Sequence, residues 1–418
     1  MEYITKESMT ILVSIYIIIA SILILFLVLP FGTVFLSLFV KEKILRRKDG
    51  DNDFQQYDYG CIITAYKNAE IAKPLIHSLL KQPYQNLHIY LVADECDISE
   101  FDLSDEKLTV FRPDPSLRLK AKSIIHAMEN YVRPHEYTVV FDADNLAHPD
   151  FLLEINQYAN NGYRSIQGQR TAKNLDTPYA CADATGEFYK NYIDRYAPYL
   201  IGSSAVISGS GMAVETNLYW EYLRSPEIEQ GKKKWKKMLQ EDKILQNFLL
   251  SKNERIGYAW DAIVYDEKVV SGEQVETQRG RWLYSYFQNL PNSSGHIVKG
   301  LFSFSWNRFF FGLVTINLPL FILLFLSGAM MTLGLLLSIK TALALFVAIV
   351  IFCLTIIWTL YLSKVPKAIW TTLWGLPMFV VKQVTALFKM GNPNKNFKES
   401  KHTRSYSIDE VLKNEKEN

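Results

Sequence analysis

Four short groups of residues in this chain of 418 could take part in chemistry. The first is Asp142-Ala143-Asp144, at the end of the apolar run Tyr137–Phe141. Two carboxylates one residue apart can reach a divalent cation together with its phosphates, and oxygen ligands suit magnesium or manganese. Taken alone, such a pair is more often a solvated acidic turn. The second is Glu241-Asp242, where a carboxylate beside an acceptor hydroxyl could take its proton. The same two acids would also suit the first turn of the helix that continues Lys243-Ile244-Leu245-Gln246, through the helix dipole. The third is Gln278-Arg279-Gly280-Arg281-Trp282. A guanidinium makes charge-assisted bonds to diphosphate oxygens, and an indole face can stack on the apolar side of a sugar ring. The competing role for the Trp is anchoring at a membrane edge. The fourth is Asp94, an acid just past the apolar run His88–Ala93.

The elements around these groups read as an α/β domain. Apolar runs at Tyr59–Tyr66, His88–Ala93, Leu108–Phe111 and Tyr137–Phe141 predict strands. Helices are predicted over 70–82, 119–131 and 150–160, and further on over 183–197 and 241–252. Strands alternating with helices predict a mostly parallel sheet covered on both faces, with ligands at the carboxyl ends of its strands. Asp94 and Asp142 fall at such ends. Ser208-Gly209-Ser210-Gly211-Met212 reads as a small-residue loop, whose glycines permit close approach to a ligand.

Membrane segments flank this domain. Residues 8–40, 309–339 and 341–363 carry no charge and are each long enough to cross a bilayer. Pro30 is expected to end or bend the first helix, and the acidic start without a basic cluster does not read as a cleaved signal. The uncharged run 368–381, bracketed by Lys367 and Lys382, is too short to span and reads as an interfacial helix over 367–390. The alternative is a fourth span running to Phe388. Basic residues Lys41 to Lys48 after the first span, and Lys364 and Lys367 after the third, predict a cytoplasmic middle region and tail. Lys340 would lie in the loop on the other side. Residues 41–56 read as a linker, 57–300 as the catalytic domain, and 391–418 as a mobile polar tail.

The net charge of +2 points to no nucleic-acid partner. Cys61, Cys96, Cys181 and Cys353 show neither disulfide nor zinc spacing and fit a reducing cytosolic face. The basic run Lys232–Lys237 reads as a solvated face or a contact with anionic lipid headgroups.

In this order and setting, the four groups resemble the D, DxD, (T/Q)ED, QxxRW series of the membrane-bound family 2 glycosyltransferases, which include the cellulose, chitin and hyaluronan synthases. The resemblance spans roughly residues 55–405. It implies a GT-A-like nucleotide-sugar domain and inverting transfer to a polysaccharide or lipid-linked glycan, with a UDP-sugar as donor. It implies Asp144 as the main ligand of a divalent cation, Mg2+ or Mn2+, with Asp142 on the metal or the ribose. Asp94 would meet the base of the nucleotide, although Asp94-Glu95-Cys96-Asp97 stands in place of the usual Asp-Asp-Gly-Ser and leaves Asp97 as the alternative. Thr64, Tyr66 and Glu70 fall in a loop similar to the family's opening loop around the nucleoside, and Lys120 in one similar to its lysine-bearing helix start. Asp242 is the implied catalytic base, beside Glu241. Gln278 and Arg281 would hold the diphosphate. Trp282, Glu241 and the loop with Gly209 and Gly211 would form the acceptor site. A bacterial inner membrane is the expected location. A processive enzyme would need a partner subunit or self-association, because three spans make a thin channel wall. Two alternatives are a single-addition transferase on a polyprenyl-linked glycan and a non-catalytic scaffold of the same fold.

Overall fold

The parallel half of the sheet follows directly from the apolar runs. In the computed structural model, which describes residues 6–46, 54–234, 240–373, 383 and 406–417, these runs form β1 (Tyr59–Tyr66), β2 (Leu87–Asp94), β3 (Leu108–Phe111) and β4 (Tyr137–Asp142). Every residue of β2 is buried, as expected of a parallel strand covered on both faces. Four further strands follow: β5 (Leu146–Ala147), β6 (Ser165–Ala172), β7 (Met212–Glu215) and β8 (Ile256–Asp266). The sheet order is β3-β2-β1-β4-β7-β6-β8-β5. β1 to β4 are mutually parallel, β7 runs antiparallel to both β4 and β6, and β8 is parallel to β6. The result is a mixed sheet of GT-A type.

The helices, in chain order, begin with α1 (Lys6–Ser37), α2 (Lys73–Leu80, after a short 3-10 turn Glu70–Ala72), α3 (Lys120–Glu129) and α4 (Phe151–Asn160). Next, α5 (Pro178–Lys190) starts with Thr177 accepting from the Ala180 amide and with Pro178 in its first turn. It runs through one π-helical turn, Asn191–Tyr196, into α6 (Ala197–Leu200). Then come α7 (Thr216–Leu223), α8 (Pro226–Lys234), α9 (Glu241–Ser251) and α10 (Gly272–Phe302). They are followed by α11 (Trp306–Ile316), α12 (Leu320–Leu337), α13 (Ile339–Leu362), α14 (Lys367–Thr372) and α15 (Ile408–Glu417).

Three helices are long and apolar enough to cross a membrane: Ser8–Ser37, Leu320–Leu337 and Ile339–Leu362. Pro30 does not end the first; it lies inside α1. The uncharged run 309–339, expected as one helix, is two. Pro319 cannot donate a backbone bond and biases Leu318 toward extended backbone, so α11 stops at Ile316 and the apolar segment restarts at Leu320. α11 is too short to span and packs on α10 instead. Lys340 lies in the first turn of α13 rather than in a loop, because Ser338 alone joins α12 to α13 and caps the latter.

The spans are attached to the domain through side chains. Tyr16, Ala20, Leu23 and Leu27 of α1 and Leu345, Ala348 and Phe352 of α13 form one apolar cluster with Tyr189, Tyr192, Ile193 and Ala197. The α5–α6 segment thereby rests on the spans on one side and faces the sheet on the other. Of the expected interfacial helix 367–390, Lys367–Thr372 is helical as α14, whereas residues 374–382 and 384–390 lie outside the described residues. Residues 235–239, with Lys236 and Lys237 of the basic run, also lie outside them. The end of the tail is not a free segment. Ser407 and Glu410 form a reciprocal cap, with the Ser407 amide donating to Glu410 at 2.7 Å and the Glu410 amide to Ser407 Oγ at 3.3 Å. α15 then buries Ile408 and Val411 against Leu146 and Tyr265.

Candidate active site

Strand register builds the first part of the site. Tyr66, Asp94 and Asp142 are the last residues of β1, β2 and β4, three neighbouring parallel strands. Tyr66 pairs in register with Asp94, and Thr64 with Asp142. The two carboxylates therefore emerge at the same, carboxyl end of the sheet on either side of β1, where a doubly covered α/β sheet leaves room for a ligand.

Asp94 is buried and held by the chain itself. Its carboxylate accepts from Ser116 Oγ at 3.0 Å, the Leu117 amide at 2.9 Å and the Arg118 amide at 2.6 Å. Asp97 has no such place; it is exposed and caps the Ser99 amide in a local turn. Tyr66 Oη and Arg118 Nε both donate to Glu95, and with Ser116 they pull its carboxyl down to about 2. Glu70 is drawn elsewhere: it pairs at 2.6 Å with Lys73, which also binds Asp102.

Asp142 and Asp144 occupy the turn after β4. Asn145 and Ser210 brace it: the Asp142 amide donates to Asn145 Oδ1 and to Ser210 Oγ, both at 3.1 Å, and Ser210 Oγ donates to Asn145. Lys173, buried, donates to the Asp144 carbonyl oxygen at 2.8 Å. Asp144 itself is 9% exposed and Asp142 is more open.

Lys120, at the start of α3, crosses the site. Its Nζ donates to Asp142 Oδ1 at 2.5 Å and to the Gly209 carbonyl oxygen at 2.7 Å. Burial opposes the charge on Lys120, but Asp142, Glu241 and Asp242 outweigh it and hold the ammonium above its usual value. Gly209 sits at φ +81, and a Cβ there would lie 3.6 Å from Asp242 Cβ, so the loop passes close beside the first turn of α9. Gly211 is different. A side chain there would collide with Val264 at 2.8 Å, and its carbonyl oxygen accepts from the Gly168 amide. Its small size also lets the start of β7 lie against Val264 of β8.

Glu241 and Asp242 open α9 after Gln240, which adopts left-handed backbone at φ 58. Burial, reinforced by Asp242, pushes the Glu241 carboxyl up against the pull of Lys120. Asp242 lies 3.7 Å from Lys243 Nζ.

The third group lies on α10, where positions 278, 281 and 282 share one face. Gln278 Oε1 is buried without a hydrogen-bond partner. Desolvation pulls the Arg281 guanidinium below its usual value. Trp282 is 37% exposed and has two cations over its ring, Arg279 at 4.3 Å and Lys190 at 5.4 Å from the centroid. Arg279 is an ion-pair partner of Asp183 on α5. Burial, then Arg279, pushes Lys190 down to about 8.

Several of these residues escaped sequence reading. Asp183 and Lys190 come from a helix that carries no motif, and Arg279 is the variable position of its own motif. Arg170 is another. It pairs with Asp266 and donates to the Ser208 carbonyl oxygen at 3.0 Å, fixing the small-residue loop. Ser210 and Asn145 could have been suspected from their neighbours; the others had no local signal.

Among the described residues no three His, Cys, Asp or Glu side chains converge on a possible metal position. Asp142 and Asp144 are nonetheless a fitting set for a cation that takes most of its ligands from phosphate and water, as magnesium does.

Residues 57–285 match the family model described as Glycosyltransferase like family 2, more than half of the 418-residue chain. No curated protein matches the sequence. Among solved structures the chain is similar to the mannosyltransferase PcManGT from Pyrobaculum calidifontis in complex with GDP-Man and Mn2+, at 13% identity and TM-score 0.53, over 89% of this chain and 99% of that one. S. aureus TarS is similar at 14% identity and TM-score 0.35, over 53% of this chain and 38% of that one. The family match covers the whole run from the first strand to Trp282, and the fold likeness extends beyond it into the helices that follow. The chain belongs to the family 2 glycosyltransferases.

Proposed function

We propose that this glycosyltransferase moves a sugar from a nucleoside diphosphate donor to a hydroxyl of a polysaccharide or lipid-linked glycan, with inversion, at the cytoplasmic face of a membrane. The observation that carries the reading is the Lys120 bridge: one ammonium joins Asp142 to the Gly209 loop, and that loop passes close beside Asp242. It supports a donor phosphate site and a base beside it.

Asp242 takes the proton of the acceptor hydroxyl while that oxygen attacks C1 of the donor sugar. The bond from C1 to the diphosphate oxygen breaks in the same displacement, and the nucleoside diphosphate leaves. No covalent enzyme intermediate is needed. Asp94 and Tyr66 line the nucleoside end. Lys120, Gln278 and Arg281 face the diphosphate, where the buried Gln278 oxygen has no hydrogen-bond partner within the chain. Trp282 offers its face to the acceptor sugar. Asp144 and Asp142 would hold a divalent cation, and such a cation neutralises charge on the leaving diphosphate.

A UDP-sugar is the donor implied by the sequence resemblance, while the archaeal mannosyltransferase is described with GDP-Man and Mn2+. The basic flanks after α1 and α13 support a cytoplasmic domain with the N-terminus outside. A bacterial inner membrane and chain extension belong to the same reading. The test is incorporation of labelled sugar in membranes given UDP- and GDP-sugars in turn, with the product sized. A ladder or high-mass product supports extension. A single lipid-soluble product shifted by one sugar favours the single-addition reading, and no incorporation from any donor overturns the proposal.

A further inference from the structure

Beside Asp242 a cleft of about 240 Å3 opens between α8, α9 and α10. Its lining is unusual in being dominated by primary amides: Gln230, Gln240, Asn247, Gln288, Asn289 and Asn292. Gln230, Gln288 and Asn292 are exposed on the walls. Gln240 and Asn289 are buried at 9% and 7% exposure. Part of this set is already organised. Asn247 Nδ2 donates to Asn289 Oδ1 at 2.8 Å, and His296 lies 3.1 Å from Asn247 Oδ1. Gln240 Nε2, however, is buried with no hydrogen-bond partner, at the end of the cleft next to Glu241 and Asp242. A buried amide left without a partner is costly and calls for a polar ligand.

The cleft is continuous with the catalytic residues through α10. Trp282, Ser285, Asn289 and Asn292 recur at helical spacing on one stripe, and Ser285 Oγ donates to Gln240 Oε1 at 3.1 Å. The stripe therefore leads from the Trp282 ring, past Gln240, into the amide-lined space.

We infer that this cleft binds the acceptor glycan behind its reactive end, by hydrogen bonds from the amides to the hydroxyls of a neutral sugar. Sugar hydroxyls both donate and accept, and a primary amide offers both in one side chain. A phosphate would call for several cations, and among the described residues of the lining Lys243 is the one cation, with Glu227 as an anion. A lipid tail would call for apolar walls, and among the described residues of the lining Ile244 is the one large apolar side chain. The volume lies somewhat below that of a drug-sized pocket, roughly 300 Å3 upward, and suits about one sugar ring. The inference rests on the transferase reading and narrows its acceptor to one with a glycan chain.

Gln288→Ala with Asn292→Ala tests it, since both side chains are exposed and neither belongs to the catalytic set. The full chain in detergent is titrated with a panel of neutral disaccharides (cellobiose, chitobiose and mannobiose). In parallel it is titrated with UDP and GDP in manganese. At least one disaccharide should bind the wild type, and the double variant should bind it about tenfold more weakly, with nucleotide binding unchanged. Absence of binding by every disaccharide, or equal binding by wild type and variant, overturns the cleft. Loss of nucleotide binding in the wild type would instead overturn the transferase reading, a separate outcome.

Discussion

Lys120 Nζ lies 2.5 Å from Asp142 Oδ1 and 2.7 Å from the Gly209 carbonyl oxygen, so one cation ties the end of β4 to the loop that leans on Asp242. Lys120→Met keeps the stem of the side chain and removes both bonds. A hydrogen bond to a charged group contributes about 1.5–3 kcal/mol, so kcat/KM for transfer should fall at least about tenfold. A wild-type rate in the variant would remove Lys120 from the site.

Asp242→Asn should leave nucleotide binding intact and abolish transfer, because an amide cannot take the acceptor proton. The expected loss is about 10²-fold or more. Nucleotide affinity and single-turnover transfer, measured on the same preparation, separate the two effects; near-normal turnover excludes Asp242 as the base.

Chelation should stop transfer, and added manganese or magnesium should restore it. Asp144→Ala should be inactive with or without added metal, because the turn keeps its Lys173 brace through the backbone oxygen and loses the carboxylate alone. Full activity in excess chelator would refute the metal assignment.

Arg279 lies 4.3 Å over the Trp282 ring and is gripped by Asp183 of α5. Removing one partner of a buried ion pair costs about 3–5 kcal/mol. Asp183→Asn should therefore destabilise the protein and raise the acceptor KM by loosening Trp282, while the donor KM stays unchanged. An unchanged acceptor KM would assign the pair to stability alone.

Lys190 titrates near 8 when folded, pushed down by burial and then by Arg279. Unfolded, it keeps its proton up to about 10.4. Between those values the unfolded chain binds more protons, so stability contributed by this group rises with pH. Below about 8 both states are charged and the burial penalty is fully present. Thermal unfolding of wild type minus Lys190→Met, followed from pH 7 to 10, should show that slope in the wild type only. Parallel curves would refute it.

The sequence by itself determined β1 to β4, α3, α4 and α9, because their apolar periodicity and punctuation are local. It also determined that Asp94 and Asp142 lie at the carboxyl ends of strands, since both acids directly follow apolar runs, whereas the placing of β1 between those two strands is a matter of the sheet order. The three apolar helices were legible for the same reason: length and lack of charge are properties of a segment.

Tertiary structure decided what contact at a distance decides. Arg170, Asp183 and Lys190 reach the site from elements whose own pattern says nothing, because an ion pair such as Asp183–Arg279 spans residues far apart in the chain. That Gly211 must also stay small for packing is something only the neighbouring Val264 could reveal. The tail became α15 through Ile408 and Val411, two apolar residues that gain burial only because Leu146 and Tyr265 stand bare until they arrive. Sequence sets which faces are apolar and which ends carry charge; which partner each face meets depends on how the chain closes around it.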